Sequence, residues 1–124
     1  MACNILIAED EEFIAKLYKF ALEQQKDITV DVAHNGHEAL EAIKKKSYQL
    51  LLLDLLMPDM DGFAVLTALK KEHVTIPKTV VLTNLSQNID RKKCQELGAV
   101  DYLVKSDTGA EELWEKIRKY VPTA

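Results

Sequence analysis

Two cysteines and three histidines in 124 residues leave the chain short of soft metal ligands. Cys3 and Cys94 lie far apart, so neither a disulfide framework nor a zinc site has support, and both read as structural thiols. His34 and His37 stand three residues apart, but Asn35-Gly36 between them reads as a turn and makes them solvated loop residues, while His73 stands alone. No apolar stretch approaches the roughly 20 residues of a membrane span, and the N-terminus lacks the basic and apolar regions of a signal peptide, so the expected location is cytoplasmic. Net positive charge is also missing. The net charge of −4 argues against direct nucleic-acid binding driven by overall charge. Repeats, linkers and low-complexity segments are absent. What is there is an ordinary mixture, 48% apolar and 29% charged, that fits one domain over residues 1–124 with no room for an output domain.

Strand-like and helix-like segments alternate five times. Asn4 to Ala8 is a short apolar run that stops abruptly at Glu9, Asp10, Glu11 and Glu12. Ile14, Leu17, Tyr18 and Ala21 then recur at helical spacing, to an end near Gln25. Ile28, Val30 and Val32 alternate with polar residues, as a half-exposed edge strand would. A second helix carries Ala39, Leu40 and Ile43 and closes on Lys44, Lys45 and Lys46, which complement its dipole. Leu50 to Leu53 is wholly apolar and ends at Asp54. Asp61 is a candidate N-cap for a helix with Val65, Leu66 and Leu69. Thr79 to Leu82 is the fourth strand. Asp90 to Leu97 is a helix with a thin apolar face, closed by Gly98, and Val100 to Val104 is the last strand. Leu113, Ile117 and Tyr120 mark the last helix, on which Trp114 and Tyr120 read as packing residues before partner anchors. Right-handed crossovers then give a doubly wound, five-stranded parallel α/β sheet with five helices on its two faces.

In such a sheet the ligand crevice lies at the carboxyl ends of the strands. Glu9 and Asp10, Asp54, Thr83 and Lys105 occupy those ends. Carboxylates brought within about 4 Å of one another repel by several kcal/mol at an effective dielectric of about 20, so a cation must offset them. Hard oxygen ligands without histidine or cysteine favour Mg²⁺ or Mn²⁺, and Mg²⁺ commonly completes its shell with substrate phosphate. An ionised carboxylate can attack phosphorus in line, with an amine and a hydroxyl to receive the equatorial oxygens, and Asp54 is the candidate nucleophile beside Lys105 and Thr83. Each residue alone has an ordinary reading as a cap, a strand former or a solvated lysine. Their joint placement carries the signal.

The stretches Ile5 to Glu12, Leu53 to Gly62, Val80 to Thr83 and Gly98 to Lys105 together make the chain resemble a response-regulator receiver domain of the CheY-like family of two-component signalling. The resemblance implies a flavodoxin-like strand order of 2-1-3-4-5. It implies that Asp54 takes a phosphoryl group from a phosphohistidine on a sensor histidine kinase or histidine phosphotransfer protein. Mg²⁺ would be held by Asp10, Asp54 and the backbone carbonyl of Leu56, with Glu9 acting largely through water. It further implies a switch rather than an enzyme. The Thr83 hydroxyl moves to the phosphoryl group, Tyr102 turns inward, and the face of the fourth helix, last strand and last helix changes for an unidentified downstream protein.

Three departures from the family pattern stand out. Ser106 follows Lys105 where many members have proline after a cis peptide, and cis without proline costs about 3 kcal/mol, which puts the reach of Lys105 in question. Asn84 follows Thr83 where a small residue is frequent, and would narrow access to Asp54. Leu56 and Leu85, two positions beyond Asp54 and Thr83, give attacking water no polar help, so a long-lived phosphoryl group is expected. Three other readings are weaker, the first a flavodoxin-like flavin carrier, which shares the architecture but needs a phosphate-cradling loop where the acidic turn Glu9 to Glu12 would repel phosphate. A haloacid-dehalogenase-like phosphotransferase needs a second acid where Leu56 stands, and a receiver that works without phosphorylation should have lost these key residues.

Overall fold

The computed structural model describes residues 2–72, 76–85 and 87–121; His73 lies outside them. Five strands, β1 (Cys3–Ala8), β2 (Ile28–Ala33), β3 (Leu50–Leu53), β4 (Lys78–Thr83) and β5 (Asp101–Val104), form one sheet in the order β2-β1-β3-β4-β5. All four pairings are parallel, as the sequence predicts. Five helices connect or follow them: α1 (Glu12–Glu23), α2 (Gly36–Lys45), α3 (Gly62–Lys71), α4 (Asn88–Glu96) and α5 (Ala110–Ile117).

Period-two alternation divides the core between the two faces of the sheet. Ile5, Ile7, Leu50, Leu52, Val80 and Leu82 pack under Tyr18 and Leu22 of α1 and Leu113 and Ile117 of α5. The intervening residues Leu6, Leu51 and Leu53 pack under Ala39 and Ile43 of α2 and Val65, Leu66 and Leu69 of α3. Leu50 to Leu53 are all buried because β3 is central and covered on both faces, and each such leucine contributes about 2 kcal/mol by burial. On β2, at the sheet edge, only Val30 and Ala33 are buried.

Several sequence boundaries move. Asn35-Gly36 is a helix start and not a turn: the Asn35 carboxamide accepts from Glu38 N–H at 2.9 Å, while Glu38 Oε1 accepts from His34 N–H. This reciprocal cap satisfies two orphan donors, and His34 and His37 are exposed beside it. On α1 the buried residues are Ala15, Tyr18 and Leu22, whereas Leu17 is 45% exposed between exposed Phe13 and Phe20. Asp61 caps α3 as expected, accepting from Ala64 N–H at 2.8 Å. Beyond α4, Gly98 adopts φ +104°, the left-handed conformation that glycine takes most cheaply. Helix α4 buries Cys94 against Leu55, Val81 and Tyr102 and little else, in keeping with its thin apolar face. Both cysteines are buried and free.

Two tyrosines fasten chain segments to the sheet. Tyr48 O–H donates to Asp31 at 2.7 Å, and Tyr120 O–H donates to Asp101 at the same distance from a short 3-10 turn after α5. Burial first, then the facing carboxylate, pushes both phenols up to about 12 from an ordinary 10. A folded-state value above the unfolded one means stability that is complete below about pH 10 and lost as pH rises towards 12. Urea denaturation across that window should show a steep alkaline loss. The paired change of Tyr48→Phe and Tyr120→Phe should lower stability at neutral pH and flatten the alkaline slope.

Candidate phosphoryl and metal site

Two backbone hydrogen bonds extend the sheet ladder past its last strand residues and so fix the acids. Glu9 N–H donates to the Ala33 carbonyl at 2.9 Å, and Asp54 N–H donates to the Ala8 carbonyl at 3.1 Å. Both carboxylates therefore start from rigid strand ends. Gly62 presses on the same end of β3: a β-carbon there would lie 2.5 Å from the Asp54 carbonyl oxygen and 2.9 Å from the Leu55 α-carbon. A larger residue would drive α3 away from the site.

Glu9, Asp54 and Lys105 meet at the carboxyl end of the sheet, with Asp10 at the rim and Thr83 ending the neighbouring strand β4. The Lys105 ammonium pairs with Glu9 and with Asp54 Oδ2, the latter at 2.6 Å. These side chains are only 9%, 2% and 5% exposed, respectively. Asp54 Oδ1 accepts from Leu56 N–H at 3.1 Å, so both oxygens of this carboxylate are held. Burial pushes the Glu9 carboxyl up, and the Lys105 pairing offsets that only in part. Burial alone would pull Lys105 down. Its two carboxylate partners outweigh burial and hold the ammonium above its ordinary value.

The peptide joining Lys105 to Ser106 is trans, since there are no cis bonds among the described residues. The chain instead enters a 3-10 turn over Lys105–Asp107 and still delivers the lysine to both acids. Asn84 does not turn across Asp54; its Oδ1 accepts from Ser106 N–H at 3.1 Å. Sequence reasoning treated these two departures separately and missed that they are partners.

Oxygens of Glu9, Asp10 and Asp54 lie within 4.8 Å of one another. Three hard donors at that spacing, with Asp10 exposed on the solvent side, suit a hydrated Mg²⁺ or Mn²⁺. Beside them an open cleft of about 500 Å³ is lined by Asp10, Leu56, Met57, Phe63 and Leu85 among others, and Leu56 is 54% exposed. Neither Leu56 nor Leu85 carries a side-chain group able to orient water.

Thr83 is buried, and its hydroxyl oxygen lies 3.5 Å from Leu85 N–H, at the limit of a hydrogen bond. Tyr102 lies inward in this structure and donates its O–H to the Leu85 carbonyl at 2.6 Å. The Arg91 guanidinium caps the Tyr102 ring from α4, 4.7 Å from its centroid. Thr83 and Tyr102 thus meet on one peptide segment between β4 and α4.

Comparison with known proteins gives a consistent picture. The family model for the response regulator receiver domain matches residues 5–118. Hybrid signal transduction histidine kinase B of Dictyostelium discoideum is 36% identical over 133 residues, covering 95% of this chain and 7% of that protein. Transcriptional regulatory protein SrrA of Staphylococcus aureus is 40% identical over 105 residues, covering 85% of this chain and 42% of that protein. The chain therefore spans less than half the length of either relative. Among solved structures, the receiver domain of the Francisella response regulator 1452 superposes with a TM-score of 0.85 at 28% identity, covering 95% of each chain.

Proposed function

The chain belongs to the response regulator receiver domain family, and on that premise we propose that Asp54 accepts a phosphoryl group from the phosphohistidine of a sensor histidine kinase or a histidine phosphotransfer protein. Receiver domains are signalling switches and bind Mg²⁺ through an acidic pocket. Here Asp10, Asp54 and the Leu56 carbonyl would hold the ion, with Glu9 supporting through water. Bound there, Mg²⁺ would neutralise charge on the phosphoryl oxygens.

The observation that carries the reading is the pairing of Lys105 with Asp54 at a buried strand end. A carboxylate oxygen of Asp54 attacks phosphorus, forming the P–O bond while the P–N bond breaks and the imidazole leaves with the electron pair. Lys105 shifts from the carboxylate to the phosphoryl oxygens, where its fixed charge meets charge that is already developing. The Thr83 hydroxyl then donates to a phosphoryl oxygen and gives up its weak contact with Leu85 N–H. That frees one side of a segment whose other side Tyr102 holds. The effect spreads to α4, β5 and α5, the face we assign to a downstream protein. Helix α4 suits this because so little apolar surface anchors it.

The test is incubation with Mg²⁺ and acetyl phosphate, followed by intact-mass measurement and then removal of the donor. A phosphoryl adduct should form, and with Leu56 and Leu85 beside the site it should decay over minutes or longer. No adduct overturns the phosphoacceptor reading, and decay within seconds at neutral pH overturns the expected lifetime.

A further inference from the structure

We infer that Asn84 is a positioning residue for Lys105, acting through the backbone of Ser106. The inference rests on the phosphoacceptor reading for its consequence but not for its geometry. The turn Lys105–Asp107 is anchored on its far side by Thr108. Thr108 N–H donates to the Lys105 carbonyl at 3.0 Å, and its buried hydroxyl donates to the Val104 carbonyl at 3.0 Å. Lys116 of α5 adds contacts of 3.2 Å to the Asp107 carbonyl and the Thr108 hydroxyl. All these anchors tie the turn to its own strand or to α5. Among the described residues, the bond from Ser106 N–H to Asn84 Oδ1 is the hydrogen bond that ties the backbone of the turn to the end of β4.

That placement matters because Lys105 has to reach across β4 to Asp54, one residue past β3, and to Glu9 after β1. The lysine stem has four rotatable methylenes, so its reach is only as defined as the backbone that launches it. Asn84 fixes that launch point one residue beyond the lysine. It also sits next to Thr83, so the residue offering the hydroxyl and the residue offering the ammonium are linked by one side chain. The link has two chemical requirements. Position 84 must present an acceptor, and position 106 must carry an N–H, which proline lacks.

The experiment uses the full chain with Asn84→Ala, Asn84→Asp, Ser106→Pro and the double variant Asn84→Ala with Ser106→Pro. The first readout is acetylation of Lys105 by acetic anhydride without Mg²⁺, followed by peptide mass. Asn84→Ala should raise Lys105 reactivity about three-fold, while Asn84→Asp, which keeps the acceptor, should hold it near the unmodified value. The second is the rate of phosphoryl uptake from acetyl phosphate, which Asn84→Ala should slow by about five-fold. In the Ser106→Pro background the donor is gone, and Asn84→Ala should change neither readout further. Unchanged Lys105 reactivity in Asn84→Ala overturns the inference, as does an equal effect of that change in both backgrounds. If the unmodified protein takes up no phosphoryl group, the phosphoacceptor reading fails and Lys105 reactivity alone decides the role of Asn84.

Discussion

Asp54→Asn is expected to abolish phosphoryl uptake from acetyl phosphate, a loss of at least about a thousand-fold, and to leave the fold intact. The carboxamide has nearly the shape of the carboxylate but no charge, so it cannot act as the nucleophile. No neighbour replaces it. Glu9 is buried and engaged by Lys105, and Asp10 is exposed at the rim. The variant should keep an acceptor for Leu56 N–H while removing one of three crowded acids. Lys105 would retain Glu9 as its partner. Thermal stability should therefore be equal to or above that of the unmodified protein, which separates loss of chemistry from loss of structure. Intact mass and peptide mapping decide the matter. An adduct that forms on the variant at an undiminished rate would remove Asp54 from the role assigned to it.

Much of this site was legible in the sequence because a parallel sheet gathers its strand ends. The apolar run Leu50 to Leu53 ended at the acid, and the structure places Asp54 one residue past β3. Local patterns failed where one particular partner, near or far along the chain, decides the outcome. Asn35-Gly36 has turn composition, but the Glu38 carboxylate reaching back to His34 N–H makes it a helix start. On α1, Leu17 has the right period for the core, but the sheet beneath the helix takes Ala15, Tyr18 and Leu22 and leaves it half-exposed. Asn84 looked like an obstruction to Asp54. Its acceptor meets a backbone donor 22 residues away, and no single-sequence pattern reports such a pair. The same bond accounts for how Lys105 reaches its acids from a trans peptide.

Lys105→Ala is expected to give the largest combined effect on chemistry and stability. Among the described residues the ammonium is the one cation in contact with the two buried carboxylates, and removing one partner of a buried ion pair typically costs about 3 kcal/mol or more. The cost should depend on pH in a definite direction. Burial already raises Glu9, and without Lys105, whose pairing lowers it, the carboxyl would rise further. A group raised in this way costs nothing at acid pH, where it is protonated in both states, and its penalty grows as pH climbs through the unfolded carboxylate range near 4.5. Urea midpoints of the variant and the unmodified protein should therefore diverge between pH 4 and 7, by about 3 kcal/mol at the upper end. Millimolar Mg²⁺ should close much of that gap, because an ion held at Asp10 and Asp54, with Glu9 beside it through water, would supply the missing positive charge; chelation should reopen it. Phosphoryl uptake will not recover in step. Mg²⁺ cannot take the position from which Lys105 meets the phosphoryl oxygens, so uptake should stay about a hundred-fold slow even at saturating metal. A deficit that ignores both pH and Mg²⁺ would mean that Lys105 acts by packing alone.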